Sequence, residues 1–422
     1  MPPAAAPRPA PEAPLRDGTA AVEALVAEAL RAHPTLAARA AMVEAAVHAE
    51  ARAGAWPEPS AGVGLMSFPL MRPGFAEMSM TGFSFMVEEE LPMPGLLAAR
   101  KAAAAARVRA ARASAEGAAN ELAAAVRRAA WALWLADVSA VQWAEEVELL
   151  TTLRDLARAA LAAKGPGEAV AALDLERIVA TARTEALDAR AGRAEAAASL
   201  AALVGRTSAD GLTGSALAPA RPAAPAPAEE LLSALGGHPT LRAGAARVEA
   251  DLAEAKARRR EAFGGVTVRL EYLWRSDAIA EAAGSDLLSA TVMVPLPIFA
   301  AGREGREAKE AEAEAAAARA DNEAMRLELT RAVMAAAAGL RESLAAIDVY
   351  DTELIPAAEG AFKASRAAVL AGTAGIDRLI LAEQPLIHIR HGRAAALARA
   401  AALAEEIRSL LGRSAAAEEK SR

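Results

Sequence analysis

Methionine is concentrated in one short stretch of a chain that contains no cysteine. Six of the 11 methionines lie between residues 66 and 93, namely Met66, Met71, Met78, Met80, Met86 and Met93. Thioether sulfur suits soft cations such as Cu(I), and Met78, Met80 and Met86 share one parity in a predicted strand. Methionine is also a flexible filler of apolar surfaces, and the pattern favours that role.

Two histidines are spaced so that one metal ion could bind both. His388 and His391 are three residues apart in a predicted helix and therefore lie on one face. No third ligand is identifiable, which favours a pair on the helix surface. His33 and His238 each precede a proline at a predicted helix start and fit a role in helix entry. The sequence therefore offers weak metal candidates and predicts no cofactor.

Other chemistry is excluded by composition and by missing motifs. The absence of cysteine removes disulfides, thiolate metal sites and cysteine nucleophiles. No phosphate-binding Walker loop, Gly-x-Ser-x-Gly elbow or His-Glu-x-x-His pair is present. The formal net charge is -7, whereas a nucleic-acid-binding protein normally carries a basic patch. We therefore expect neither an enzyme nor a nucleic-acid partner.

Short motifs recur in the same order a little over 200 residues apart, which indicates an internal tandem repeat. His-Pro-Thr-Leu at 33–36 returns at 238–241, Leu-Pro-Met-Pro at 91–94 corresponds to Val-Pro-Leu-Pro at 294–297, and Gly-Arg at 205–206 returns at 412–413. The prediction is a disordered Pro/Ala-rich tail over 1–20, a first repeat over 21–205, a linker over 206–228, a second repeat over 229–412 and a tail over 413–422.

Each repeat is predicted to begin with a helix and continue with two strands and long helices. Apolar and polar residues alternate at about 266–274 and 287–294, and less cleanly at about 60–68 and 78–87, as in half-exposed strands. Sequence rich in Ala, Arg and Glu predicts a long helix over 95–163, a return helix over 168–203, a long helix over 299–355 and further helices to 411. Alanine exceeds a quarter of the chain, so the fold class is mainly α with a small β part.

Four strands are too few to close a barrel. Three copies would supply twelve, and strands of this length suit a tilted path through a membrane. Tyr272 and Trp274 near a strand end fit an interfacial aromatic belt. No stretch is apolar and long enough for a membrane-spanning helix. The expected assembly is a trimer with a 12-stranded transmembrane β-barrel and an alanine-rich, coiled-coil α-barrel.

The motifs together resemble the TolC-like outer-membrane efflux family. Three motifs show the resemblance. The first is His-Pro-Thr-Leu before an Ala/Glu/Arg helix, and the other two, Leu-Pro-Met-Pro-Gly at 91–95 and Val-Pro-Leu-Pro-Ile-Phe-Ala-Ala-Gly at 294–302, each precede a long helix. The segment 78–92 resembles the heavy-metal branch, which handles cobalt, zinc and cadmium or copper and silver. The resemblance implies a homotrimer in outer-membrane lipid, with its helices in the periplasm of a Gram-negative bacterium. It also implies a periplasmic adaptor and an inner-membrane RND pump as partners.

The turns between long helices are the positions that the resemblance makes most interesting. In the family they form the periplasmic end, where the tube narrows and the adaptor docks, which here marks Gly165, Pro166, Gly372 and Thr373. Glu168, Asp174 and Asp377 lie near these turns, and threefold symmetry would make an inward-facing acid a ring that attracts cations. An ordinary helix-start acid is the simpler explanation for each. Arg378 could pair with a neighbouring acid.

The predicted function is a passive exit duct of a tripartite efflux system, with heavy-metal cations as the expected cargo. A duct of the same fold for drugs or for type I secretion is the alternative within the class. A soluble or periplasmic coiled-coil scaffold or adaptor is the alternative outside it. We expect no signal peptide in this chain, because residues 1–17 contain no long apolar region.

Overall fold

The computed structural model consists mainly of long helices and contains one small antiparallel sheet. It describes residues 18–75, 78, 80–164, 169–261, 263–275, 286–296, 302, 304–371 and 373–413. The first half contains helices α1 (Thr19–Ala32) and α2 (Pro34–Ala53), strands β1 (Ser60–Met66) and β2 (Gly82–Leu91), and helices α3 (Leu96–Lys164) and α4 (Ala169–Val204). A short 3-10 helix, Gly214–Ala216, follows.

The second half contains helices α5 (Ala228–Ala234) and α6 (Pro239–Glu261), and strands β3 (Val266–Arg275) and β4 (Leu287–Met293). Helices α7 (Glu304–Val349), α8 (Ile355–Leu370) and α9 (Ile376–Leu410) complete it, with a π-helical turn, Tyr350–Leu354, joining α7 to α8. Thus α2 to α4 and α6 to α9 follow the predicted order of helix, two strands and long helices. None of the helices in the described part of the chain is both long and apolar enough to cross a lipid bilayer.

The ends of the long helices follow local chemistry. Gly95 precedes α3 with φ +79°, a conformation that favours glycine. Arg260 donates to the carbonyl oxygen of Pro94 at 2.7 Å and lies so close that a Cβ on Gly95 would overlap its guanidinium. Pro34 and Pro239 occupy the first positions of α2 and α6, where their fixed φ and missing N–H are tolerated.

The described residues form two compact units, each of which takes segments from both halves of the chain. The first falls within Met1–Ala38, Glu116–His238 and Arg326–Arg422. Its core is aliphatic, with Leu133, Leu200, Leu340 and Ile347 fully buried. In the same core, the guanidinium of Arg127 binds Glu23 and Glu405 at 2.7 Å each.

The second unit comprises Arg39–Ala115 and Pro239–Met325, and it contains the sheet. Its helical core is built from small residues, including buried Ala103, Ala106, Ala246 and Ala250. Helices approach closely here, since a Cβ on Gly244 of α6 would lie 2.3 Å from Oδ1 of Asn322 in α7. The alanine-rich sequence therefore gives close helix packing, as the composition predicts.

Three predicted boundaries need correction. Strand β2 runs from Gly82 to Leu91, not from 78 to 87, because Thr81 closes a turn just before it. The hydroxyl of Thr81 donates to the carbonyl oxygen of Ser67 at 2.8 Å, and its N–H donates to the carbonyl oxygen of Met78. Pairing with β3 then carries the strand on to Leu91. Helix α1 begins at Thr19, inside the tail predicted over 1–20. The helix predicted over 299–355 continues as a helical run, through the π turn, to Leu370.

The segment predicted as a linker over 206–228 is packed against the first unit. Leu212, Leu217 and Ala218 are buried, and the N–H of Gly18 donates to the carbonyl oxygen of Ala218 at 3.0 Å. Two leucines among the prolines and alanines provide enough apolar surface to anchor the segment. The predicted linker is therefore a packed part of the first unit.

Candidate functional site

The sheet separates one apolar face from one polar face. The order is β1-β2-β3-β4, and every neighbouring pair is antiparallel. Across its middle, Val63 lies opposite Phe85, Phe85 opposite Tyr272, and Tyr272 opposite Leu288. The same face carries Leu65, Phe83, Val87, Leu270, Trp274 and Val292, and all ten of these side chains are exposed in the single chain.

The opposite face is more polar, and Met86, Leu273, Leu287 and Met293 are the larger apolar residues on it. Arg269 donates to Glu88 at 2.6 Å across the β2–β3 pair, and Ser289 lies opposite Glu271 in the β3–β4 pair. Leu273, the exception to the predicted alternation, lies on this face and is buried next to Gly82. A sheet of this kind presents one side to an apolar medium and the other to water.

Aromatic rings line one end of the apolar face. Phe83 stacks on Trp274 with ring centroids 6.0 Å apart, and Phe75 contacts Phe83 with centroids 5.4 Å apart. Tyr272 donates its hydroxyl to Asp286, which also accepts the N–H of Arg275 at 3.2 Å. Rings with one apolar and one polar end suit a boundary between lipid and water.

The methionine candidates do not share one face. Met78 and Met80 precede β2 and are exposed, whereas Met86 lies in β2 on the polar face, against Gly62. The shared parity predicted for them was wrong because β2 begins at Gly82. Within the described residues, no group of three or more His, Asp or Glu side chains is arranged to hold a metal ion.

Of the predicted turn residues, Thr373 and Arg378 are described with their side chains. Thr373 ends α8 by donating both its N–H and its hydroxyl to the carbonyl oxygen of Ala368, each at 3.0 Å. Arg378 is exposed in the first turn of α9, where its N–H donates to the carbonyl oxygen of Gly375 at 3.2 Å. Gly165, Pro166, Glu168 and Gly372 lie outside the described residues, as do the side chains of Asp174 and Asp377.

A buried apolar cluster joins α3, α4 and α9 near these turns. Its members are Leu150, Leu153, Leu175, Val179, Ala182 and Ile380. It packs the later part of α3 and the first turns of α4 against the start of α9. Leu370 and Leu381, which flank the turn between α8 and α9, are by contrast strongly exposed. Exposed leucines beside this turn make an apolar surface that a partner can cover.

The two helical histidines have different surroundings. His388 is exposed, and its ring meets that of Trp143 edge-on with centroids 6.0 Å apart. His391 is partly buried, and burial together with the charge of His388 lowers its pKa. Two carboxyl groups nearby, Glu146 and Glu383, escaped the sequence reasoning. The sequence does single out Glu383, because it is the one acidic residue between Asp377 and Glu405.

Comparisons with known proteins agree with this architecture. The model of the outer membrane efflux protein family (OEP) matches residues 231–413. No curated protein matches the chain. Among solved structures, the CmeC outer membrane channel of Campylobacter jejuni has a TM-score of 0.76 at 10% identity, with 93% of this chain and 86% of that chain covered.

Two further channels are similar over nearly the whole chain. The MtrE outer membrane channel of Neisseria gonorrhoeae, in its open state, gives a TM-score of 0.73 at 18% identity, covering 93% of this chain and 89% of that one. CusC, solved in a study of folding and transmembrane channel formation, gives 0.73 at 16% identity, with 97% and 98% covered. The chain thus carries the outer membrane efflux protein sequence pattern over residues 231–413 and the fold of these outer-membrane channels over more than nine-tenths of its length.

Proposed function

We propose that this protein is an outer-membrane efflux channel, the passive exit duct of a tripartite system. The observation that carries the proposal is the sheet, which exposes an apolar face along all four strands and has a polar face behind it. Exposed apolar surface of this extent needs a covering medium. Lipid covers such a face in a membrane channel, and the match at 231–413 to efflux proteins supports that choice.

The proposed assembly is a homotrimer. The single chain leaves β1 and β4 as sheet edges with unpaired backbone groups. Three copies joined edge to edge give a closed barrel of twelve strands, which leaves no unpaired edge in lipid. The alanine-rich helices then surround the continuation of the pore in the periplasm.

The proposed partners are a periplasmic adaptor at the helix turns and an inner-membrane RND pump behind it. Exposed Leu370 and Leu381 on both sides of Thr373 supply apolar contact area for the adaptor. The cargo that we propose is heavy-metal cations, on the resemblance of residues 78–92 to that branch. Selection of the cation belongs to the pump, since a passive duct has no energy source of its own.

Planar bilayer recording tests the duct. Protein purified in detergent is expected to give discrete single-channel steps that prefer cations. Asp377→Ala is expected to raise the conductance, because it removes three carboxylates from the proposed constriction, whereas Asp188→Ala, an exposed helix acid in α4, leaves it unchanged. A folded trimer that inserts into the bilayer but never conducts would contradict the channel proposal. Equal conductance of the two variants would show that Asp377 is not part of the constriction.

Cargo is tested in cells that lack their own outer-membrane duct. We expect the chain, expressed with a matched adaptor and pump, to restore growth in copper, zinc or cobalt salts. Restored tolerance to organic drugs alone would instead identify the drug duct of the same fold. A protein that is fully soluble without detergent would favour the coiled-coil scaffold.

A further inference from the structure

Two carboxyl groups with restricted access to water lie at the contact between α3 and α9. Glu146 of α3 is only 4% exposed, and Glu383 of α9 is partly buried close enough to feel its charge. Among the described residues, Oε2 of Glu146 has no hydrogen-bond partner. The buried Oε1 of Gln142, one helical turn earlier in α3, also has none. A protonated carboxyl is one group that can supply a donor to buried acceptors of this kind.

The surrounding charges do not neutralise this pair. Burial raises the pKa of Glu383 to about 7, and the like charge of Glu146 adds to the effect. Burial also raises the pKa of Glu146, which the charge of His388 partly offsets. On α8, the neighbouring carboxylate of Glu359 is already paired with Arg390 and Lys363. Helix α4 contributes Leu175, Val179 and Ala182 to the adjoining apolar cluster.

We propose that Glu146 and Glu383 form a buried proton-binding site, in which the two carboxyls share one proton and its release weakens the packing of α9 on α3. Two carboxylates in a shared, poorly hydrated site do not both ionise readily. A protonated carboxyl is also a donor, so it can satisfy an acceptor that otherwise has no partner. The ligand is a proton because the described residues hold no group of three acidic or histidine ligands arranged for a metal.

The direction of the pH effect follows from the pKa of Glu383. Its value in the folded chain, about 7, lies above the ordinary 4.5. The contact between α3 and α9 is therefore most stable at acidic pH and weakens as pH rises through about 7. This proton site is a property of the folded chain and does not depend on the cargo of the duct.

Infrared titration of the full-length protein in detergent observes the proton directly. We expect wild type to lose one protonated-carboxyl band per chain with a midpoint near 7 as pH rises from about 5 to about 9. Glu383→Gln should remove that transition, and Glu146→Gln should move its midpoint to lower pH, because burial raises the pKa of Glu383 more than the charge of Glu146 does. Glu145→Gln, the exposed neighbour, should leave the transition unchanged. If the wild-type protein shows no carboxyl that titrates above a pH of about 6, the proposal is overturned. This outcome does not depend on whether the variants fold.

Hydrogen exchange tests the link to helix packing. Peptides covering 380–391 should exchange about tenfold or more faster at the alkaline end than at the acidic end, after correction for the chemical rate. The Glu383→Gln variant should be equally protected at both. Equal corrected protection in wild type overturns the link. A midpoint that moves when Na⁺, K⁺ or Ca²⁺ is varied at constant ionic strength would identify a cation as the ligand and also overturn the proposal.

Discussion

Oδ2 of Asp137 in α3 accepts the N–H of Gly214 at 2.6 Å and that of Ser215 at 3.2 Å. Its other oxygen is held by Arg193 of α4. One carboxylate therefore fixes the short 3-10 helix between the two halves of the chain to a helix hairpin. The connection is thus part of the packed first unit.

Asp137→Ala is expected to lower the free energy of unfolding by about 1–3 kcal/mol, because two backbone donors lose their acceptor. Denaturant unfolding in detergent measures the effect. Asp188→Ala, on an exposed position of α4, should change stability by about 0.5 kcal/mol or less. Gly214→Ala should also be destabilising, since its Cβ would lie 2.5 Å from the carbonyl oxygen of Leu133. Equal stability of Asp137→Ala and Asp188→Ala would show that the anchor is unimportant.

Arg127→Ala is expected to be more costly. It removes the partner of Glu405 Oε1 in a side chain that is 3% exposed, so that only Arg408, at 3.1 Å from the other oxygen, still pairs with this buried charge. Loss of one member of a buried ion pair costs about 3–5 kcal/mol. Arg128→Ala, on the exposed side of the same helix turn, is the control and should be nearly neutral. Thermal unfolding of the two variants compares them, and similar midpoints would argue against the Glu23–Arg127–Glu405 network.

Two helix glycines are expected to respond oppositely to alanine. Nothing lies within 4 Å of a Cβ on Gly360 in α8, so Gly360→Ala should stabilise by up to about 1 kcal/mol. A Cβ on Gly392 in α9 would lie 2.4 Å from the hydroxyl of Tyr350 and 2.9 Å from its Cζ. Gly392→Ala should therefore destabilise, and Tyr350→Ala in the same chain should remove that penalty. Stabilisation by both single substitutions would contradict the contact between the π turn and α9.

The apolar face of the sheet is tested by charge. Leu270→Arg places a cation at the middle of β3 on that face, which costs about 2–4 kcal/mol at the centre of a bilayer. Ser289→Arg puts the same charge on the polar face, opposite Glu271. The fraction of protein that folds into liposomes, measured by protease protection, should fall for Leu270→Arg and hold for Ser289→Arg. Equal loss in both would remove lipid as the medium covering this face.

Sequence periodicity predicted the elements well where one local rule dominates. The 69-residue helix α3 was expected over 95–163 and occupies Leu96–Lys164, because no proline interrupts its alanine-rich text. Helix α9 begins at Ile376, directly after the predicted glycine-containing turn. Strand β2 was misplaced by four residues, since its ends depend on pairing with β3 and on the Thr81–Ser67 hydrogen bond.

The site was harder to predict because it depends on contacts between distant residues. Glu146 and Glu383 are 237 positions apart, and the burial that raises the pKa of each carboxyl exists only in the folded chain. The packing of Leu212 and Leu217 likewise required the tertiary structure, since the surrounding prolines and alanines resemble a free linker. Sequence periodicity predicts which face of a helix is apolar, but it does not predict which other element packs against that face.

The central claim is that three copies of this sheet close into one membrane barrel. Single-particle electron microscopy of the protein in lipid nanodiscs tests it most directly. We predict particles of three chains, about 130 kDa of protein at 43.2 kDa each, with Leu270 and Phe85 facing the lipid belt and Arg269 facing the lumen. Single chains, or trimers whose sheets lie outside the lipid belt, would contradict the claim.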